Sequence, residues 1–554
     1  MIMRHTTGTL FAGMVAIAAI ATANPAFAQD GQGGNRPGSQ GGSQDRAVTI
    51  QPYIEVSQIL TAQLSPESDT LTFTQVAAGV DTNIQGRNSG ASVSVRYERN
   101  IGYGDDAVDT DTVSGIARGY LSIIPQNLTL QAGALASRTR VDGGGAVSAN
   151  PLVSDDATNQ IYSVYVGPDF QTRAGPLEIA GNARVGYNRF EANDAVFNSA
   201  GEQVDVFDDS TTYSGRLAVG TRPGDVLPIG VAVSAGGFQE DVSNLDQRVR
   251  DVFVRGDVTI PVSPTLALVG GVGYEDVEVS SRDAVRDIDG NPVFGDDGRL
   301  ITDTASDRLI AFEVDGLLWD AGILWRPSSR TSLEARVGRR YDSTTYYGTF
   351  TYVPSERSSF AVNVYDGISG FGGVLGNSLS QLSSDFEAQR NPLSGDFGGL
   401  VQSDDGVGII NPLGSIRSSA FRGRGIAASY QQRIGRLNAS IGAGYDRRSF
   451  IAPQDSVLAS VDGLVDESYY VTGALSRDIG RSGTIAANAY ASLFETSGDP
   501  NGDLTAFGAS AAYSRAIAGR LSARAAVAVD YFDSEFSDED FATATALLGL
   551  RYDF

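Results

Sequence analysis

Apolar residues recur at every second position through most of the chain, and the last fourteen residues show it most plainly. Counting back from the C-terminus in steps of two gives Phe554, Tyr552, Leu550, Leu548, Ala546, Ala544 and Ala542, all apolar. The intervening Asp553, Arg551, Gly549, Leu547, Thr545, Thr543 and Phe541 are mostly small, polar or charged. A period of two belongs to a strand whose faces meet different surroundings. The same phase sets Leu437, Ala439, Ile441, Ala443 and Tyr445 against Asn438, Ser440, Gly442, Gly444 and Asp446. It also places Leu317, Trp319, Ala321, Ile323 and Trp325 on one face. Segments of this kind follow one another from 49–64 to 541–554 and number 22, with an uncertainty of a few residues at each boundary.

The connections fall into two alternating classes. One set is short throughout, as at Pro125-Gln126, Val262-Ser263 and Gly435; the other holds every long or acidic piece, including 142–159, 191–209, 280–307, 368–418 and 534–540. Short periplasmic turns, long external loops and an even strand number are the requirements of a single-chain outer-membrane barrel. The predicted fold is therefore all-β: a transmembrane antiparallel up-and-down β-barrel of about 22 strands (18–22) over residues 49–554. The short, alanine-rich greasy face tipped by aromatics suits lipid with an interfacial girdle, and Trp325 beside the Arg326-Pro327 turn fits that girdle. The terminal Phe554, with Tyr552 and Leu550, resembles the assembly signal of Gram-negative outer-membrane barrels, which implies the barrel assembly machinery as a partner.

Residues 1–28 read as a secretory signal peptide: Arg4 and His5, an apolar run from Leu10 to Ile20, then Ala26-Phe27-Ala28. Residues 29–48 are rich in Gly, Gln and Ser and read as a flexible periplasmic segment, either a linker or a docking peptide for a periplasmic partner. They leave no room for a folded plug domain before the first strand, which weighs against a TonB-dependent receptor. The expected location is the outer membrane.

Composition then removes most chemistries. Cys is absent, and the single His, His5, leaves with the signal peptide. No imidazole or thiolate remains for nucleophile activation or metal ligation. Nothing resembles a Walker loop, a dinucleotide fingerprint or a nucleophile elbow, and no carboxylate spacing argues for a glycosidase. The chain is read as no enzyme, with no cofactor and, at a net charge of −25, no nucleic-acid partner. Acids gather in the long loops, as Asp105, Asp106, Asp109 and Asp111 and as Asp533, Glu535, Asp538, Glu539 and Asp540. They either keep the loops solvated or hold loosely bound divalent cations that bridge to lipopolysaccharide phosphates. Asp287-Ile288-Asp289-Gly290-Asn291 fails as a calcium loop, because Pro292 and Gly298 stand where a Gly and a Glu are needed. Asp289-Gly290 and Asp297-Gly298 read instead as hairpin turns, as does Ser199-Ala200-Gly201.

Phase also selects the pore lining. Glu334, Arg336, Gly338 and Arg340 fall opposite Leu333, Ala335, Val337 and Tyr341, and Arg524, Asp530, Arg551 and Asp553 do the same elsewhere. These charges either set a transverse field across a channel or pair with one another to stiffen the barrel. The loop 368–418 repeats Asn391-Pro392-Leu393 as Asn411-Pro412-Leu413 around Asp404-Asp405. It is expected to fold into the lumen and constrict it, with Asn391, Asp404, Asp405 and Asn411 as its candidate contact residues.

The stretch Arg330 to Ser369, together with Tyr445-Asp446-Arg447-Arg448, resembles the outer-membrane barrels linked to exopolysaccharide export and exosortase (PEP-CTERM) systems. The resemblance implies a porin-like conduit for surface polysaccharide, with export components as partners, and carries no site residues. The expected function is a channel, either a diffusion pore or an export conduit, embedded among outer-membrane lipid and lipopolysaccharide. The alternative is a structural or adhesive barrel closed by its own loops.

Overall fold

The computed structural model describes residues 47–554 apart from 67, 104–108, 142–146, 149–157, 192–204, 296–297, 356, 385, 392, 394, 396, 404–405, 410–415, 499–501 and 535–539. The expected signal peptide, nearly all of the 29–48 segment, the turn expected at Ser199-Ala200-Gly201, Asp105, Asp106, Glu535, Asp538, Glu539 and the loop residues Asp404, Asp405 and Asn411 lie outside the described residues.

Twenty-two strands form the barrel. They are β1 Ala47–Ser65, β2 Asp69–Gln85, β3 Ser89–Tyr103, β4 Thr110–Ile124, β5 Leu128–Val141, β6 Thr158–Ala174 and β7 Leu177–Glu191. Next come β8 Asp209–Thr221, β9 Gly230–Val242, β10 Gln247–Ser263, β11 Leu266–Ser281, β12 Leu309–Ser328, β13 Thr331–Arg340, β14 Ser343–Ser355 and β15 Ser358–Ser369. The last seven are β16 Phe421–Ile434, β17 Leu437–Phe450, β18 Val465–Ile479, β19 Gly483–Thr496, β20 Leu504–Ala518, β21 Leu521–Ser534 and β22 Phe541–Asp553. Each pairs antiparallel with the next, and β22 closes on β1 from Tyr53↔Asp553 to Ser65↔Ala542. Closure leaves no sheet edge, so the backbone polar groups are bonded between strands inside the membrane.

Exposure follows the sequence phase. On β22, Leu548 is 69% and Leu550 50% exposed while Leu547 is 2% exposed; on β12, Leu317, Trp319, Ile323 and Trp325 all point outward. An apolar outer belt around a polar interior reverses the partition of a soluble protein, and lipid is the surrounding that makes it stable.

Two features depart from plain alternation. The β13–β14 hairpin turns at Tyr341 and Asp342, whose φ angles are 53° and 51°, a two-residue turn of the I′ kind. Phase alone assigns Tyr341 to the lipid face. The turn instead swings its ring inward, where it is 4% exposed and donates its hydroxyl to Asp251 (3.1 Å). The ladder between β14 and β15 stops at Gly348↔Val364. Beyond it Arg422 donates to Asp366 through Nε (2.7 Å) and Nη2 (2.8 Å), and Arg424 reaches both Asp366 and the Thr344 carbonyl. Side chains hold this part of the seam in place of backbone bonds.

The loop 282–308 forms a small meander, with bridges Ala284↔Thr302, Arg286↔Pro292 and Phe294↔Leu300, and turns at Asp289-Gly290, as the sequence suggests, and at Gly298, while Asp297 lies outside the described residues. Asp287 accepts the N–H groups of Asp289 (2.9 Å) and Asn291 (2.8 Å). The Asn291 N–H bond is the main cause holding the Asp287 carboxyl below the usual carboxylate range.

Candidate functional site: the lumen and its loop

Inward-facing charges gather on two sides of the wall. On β1, β3, β5 and β21, Arg96 donates to Glu55 (2.7 Å) and Glu98 (3.0 Å), Arg138 to Glu98 (3.1 Å) and Arg524 to Glu55 (3.1 Å). Arg551 lies over the Tyr53 ring at 3.7 Å from its centroid and bonds Asp553 (2.8 Å). Across β10 to β13, Arg336 reaches Asp257 (3.2 Å), Asp320 (3.1 Å) and Glu334 (2.9 Å), while Arg255 takes Asp257 and Asp320. Arg340 bonds both oxygens of Asp251 (2.7 Å each) and Glu275 (2.8 Å), acids that are 9% and 1% exposed in their side chains. Low dielectric and several donors per carboxylate make these clusters stiff.

The loop between β15 and β16 enters this lumen. It opens with a helix, α1, Phe371–Gln381, whose Phe371, Leu375 and Leu379 are buried against Ile116, Leu135, Ile161 and Phe190 of the inner wall. Phe371 also meets Phe207 at 5.2 Å between ring centroids. Opposite charges on the wall hold its two ends. Glu240 of β9, which is fully buried, accepts the N–H groups of Gly370 (2.8 Å) and Gly373 (3.1 Å) at the N-terminus. Arg118 of β4 donates to the carbonyls of Leu379 (3.3 Å) and Ser380 (2.9 Å) at the C-terminus. A carboxylate at the N-terminus and a guanidinium at the C-terminus both favour the helix dipole. Glycine is needed at the approach: a β-carbon on Gly373 would stand 2.6 Å from the Glu240 carboxylate.

Beyond the helix the loop crosses the lumen. Phe386–Arg390, Phe397–Ser403 and Gly406–Ile409 pair as a three-stranded antiparallel sheet. Arg390 bonds Ser94 (3.2 Å) and Ser114 (2.6 Å), and Leu393, 1% exposed, packs with Ile59, Ala512, Ala526 and Leu547 on the wall near the closure. Asn391 makes a local turn by accepting the Leu393 N–H (2.9 Å). The loop therefore touches the inner wall on the side of α1 and again near β1 and β22.

Among the cavities of the lumen, the smaller of two lies at the short-turn end, which is periplasmic in such a barrel, and the larger runs along the wall from that end toward the β13–β14 turn. One, of about 550 Å³, lies between β1–β3, β15–β17 and the loop tip. The other, of about 1210 Å³, lies along β7–β14.

The structure places Glu334, Arg336, Arg340, Arg524, Asp530 and Arg551 on the inner wall. Arg336, Arg340, Arg524 and Arg551 sit in ion pairs with neighbouring carboxylates, Glu334 pairs with Arg336, and Asp530 accepts the Tyr490 hydroxyl (3.1 Å). They form two separate groups, with Glu334, Arg336 and Arg340 apart from Arg524 and Arg551. In the first acidic loop cluster, Asp109 and Asp111 bind Arg99 (2.8 and 2.5 Å). Sequence reasoning missed Glu240, Arg118 and Leu393. For Glu240 the available signal was a lone acid at the inward phase of a strand whose first inward positions are the small Gly230, Ala232, Ser234 and Gly236, which leaves room for something inside.

Glu240 gives a direct test of how α1 is held. Glu240→Ala removes a buried acceptor from two N-terminal N–H groups, a loss of about 1–2 kcal/mol in helix docking. Hydrogen exchange of the α1 amides is expected to accelerate roughly five- to thirtyfold, following about 1.4 kcal/mol per decade, with Glu240→Gln falling between. Unchanged exchange would show that the apolar face alone holds the helix.

No protein-family model matches the chain, and no curated protein matches it. Solved structures of similar shape include the FrpB iron transporter from Neisseria meningitidis (F5-1 variant, apoprotein form), 9% identical with a TM-score of 0.42, covering 91% of this chain and 81% of that one. The siderophore receptor PiuA from Acinetobacter baumannii is 10% identical with a TM-score of 0.42, covering 91% and 82%. The copper transporter OprC is 11% identical with a TM-score of 0.40, covering 92% and 80%. This chain is a closed antiparallel β-barrel of 22 strands.

Proposed function

We propose that the barrel is a transport conduit whose bore is set by the loop between β15 and β16, serving as a diffusion channel or as an exit for surface polysaccharide. The observation that carries this reading is the loop seated against the inner wall at α1 and again at Leu393, above a polar cavity at the periplasmic end. A barrel of this strand number would otherwise enclose a wide aqueous hole. The polysaccharide assignment draws on the resemblance of Arg330 to Ser369 and of Tyr445-Asp446-Arg447-Arg448 to barrels of export systems. Phe554 as the signal for barrel assembly, export components at the periplasmic face, and divalent cations bridging the acidic loops to lipopolysaccharide belong to the same proposal.

The firm seating of the loop also favours a second reading, a structural or adhesive barrel that passes nothing. Recording from the folded protein in planar bilayers decides between them. Discrete, stable conductance steps are the expected result; silence from a barrel shown by heat-modifiability to be folded would overturn the conduit.

A further inference from the structure

The smaller cavity has a composition that its neighbour lacks. Six arginines line it, Arg96, Arg357, Arg390, Arg433, Arg524 and Arg551, against two carboxylates, Glu55 and Asp81. The larger cavity has seven arginines against five carboxylates, close to balance. In a chain of net charge −25, a lumen pocket with a local excess of guanidinium is a departure that needs a cause.

The use of each cation locates the excess. Arg96 is saturated by Glu55 and Glu98, and Arg524 shares Glu55 through Nη1 alone. Arg551 is turned flat over Tyr53, with Asp553 on its Nε and Asp81 3.6 Å from its Nη2. At the mouth, Arg433 Nε meets only a neutral partner, the Asn438 amide oxygen (3.0 Å), and Arg357 makes no side-chain ion pair among the described residues. The positive charge is therefore least neutralised at the periplasmic rim, at Arg357 and Arg433, and declines inward toward Arg524 and Arg551, which carboxylates already hold. Between these points the lining is Gln51, Asn83, Gln431, Gln432 and Asn438, amides that both donate and accept. The loop tip roofs the pocket at Phe386, Asn391 and Gly395, and its volume of about 550 Å³ lies within the range of sites for small organic ligands.

We propose that this pocket binds an acidic oligosaccharide entering from the periplasm: guanidinium groups spaced along the pocket take its carboxylates, and the amides take its hydroxyls. The proposal deepens the conduit reading and rests on it for its biological role. Guanidinium suits planar oxyanions through paired N–H donors, and amide side chains suit vicinal hydroxyls. Phosphate or sulfate esters share the anionic part of this chemistry, so the test must separate them.

The folded protein in detergent micelles is titrated calorimetrically with short oligogalacturonates, with malto-oligosaccharides of equal length, and with inorganic phosphate. The expected result is saturable oligogalacturonate binding that weakens with salt, binding of the neutral sugar at least about tenfold weaker, and no competition from phosphate at equal concentration. Arg357→Ala with Arg433→Ala is expected to lower affinity roughly tenfold or more, since each removes a charge-assisted contact. Both residues stand at the mouth, and heat-modifiability verifies that the variant still folds. Arg524→Gln, deeper in the pocket, is expected to weaken binding as well. No saturable binding, equal binding of acidic and neutral sugars, full displacement by phosphate, or indifference to the mouth variant would each overturn the proposal. Binding in micelles requires no conduction. A protein silent in bilayers that still binds the acidic sugar would lose the conduit and keep the pocket, and one that conducts without binding would lose the pocket alone.

Discussion

Excising the loop between Ser369 and Phe421 is expected to raise single-channel conductance several-fold. Ser369 and Phe421 are already register partners at the ends of β15 and β16, so a short Gly-Ser turn can join them without disturbing the barrel ladder. Twenty-two strands spaced ~4.8 Å apart and tilted ~40° enclose a backbone cylinder roughly 40–45 Å across, and side chains reduce the open bore to roughly 30 Å. The intact protein fills much of that section with α1, the three-stranded sheet and the tip at Leu393. Conductance of a wide aqueous pore follows its open cross-section, so a gain on the order of fivefold is expected. Recordings of the two proteins in the same bilayer and salt provide the comparison. Equal conductance would mean that ions pass elsewhere or that external loops set the limit, and the loop would then be no constriction. Glu240→Ala should lie between the two, with noisier open states, because it loosens the helix without removing it.

The second large effect concerns stability. Arg340→Ala is expected to destabilise the barrel by about 3–5 kcal/mol, the usual cost of leaving buried charge without a partner. Among the described residues Arg340 is the one cation paired with Asp251 and Glu275, and it is also bonded to both. The remaining donors, Tyr341 N–H to Glu275 (2.7 Å) and Tyr341 O–H to Asp251 (3.1 Å), are neutral and cannot replace it. By contrast, loss of Arg96 should cost less, since Glu55 keeps Arg524 and Glu98 keeps Arg138. Urea titration of barrels folded into lipid vesicles measures both. Adding Asp251→Asn and Glu275→Gln to Arg340→Ala should recover most of the loss, because amides need hydrogen bonds but no counter-charge. Failure of that rescue would show that the arginine contributes mainly by packing against Phe253 and Tyr341, over whose rings it lies at 5.5 and 4.6 Å.

What the sequence by itself determined is the barrel. Period-two alternation and the two classes of connection point to a closed barrel of about 22 strands, because each depends on local residue pattern and on a lipid surrounding that reads one face of every strand. The inward phase of Glu334, Arg336, Arg340, Arg524, Asp530 and Arg551 is legible for the same reason. Their partners are not. Arg340 lies 89 residues from Asp251 and Arg524 lies 469 from Glu55, separations that only the register and shear of a closed sheet convert into contacts.

Tyr341 shows the limit within a single strand, where a turn with positive φ reverses the face that alternation assigns. The loop shows it for the whole lumen. Its Gly-rich start reads as irregular sequence, since Gly disfavours helix and α1 is too short to be stable alone. Tertiary structure decides otherwise: the wall supplies a carboxylate at one end, a guanidinium at the other and an apolar surface between them. A helix that exists through its container cannot be read from its own residues.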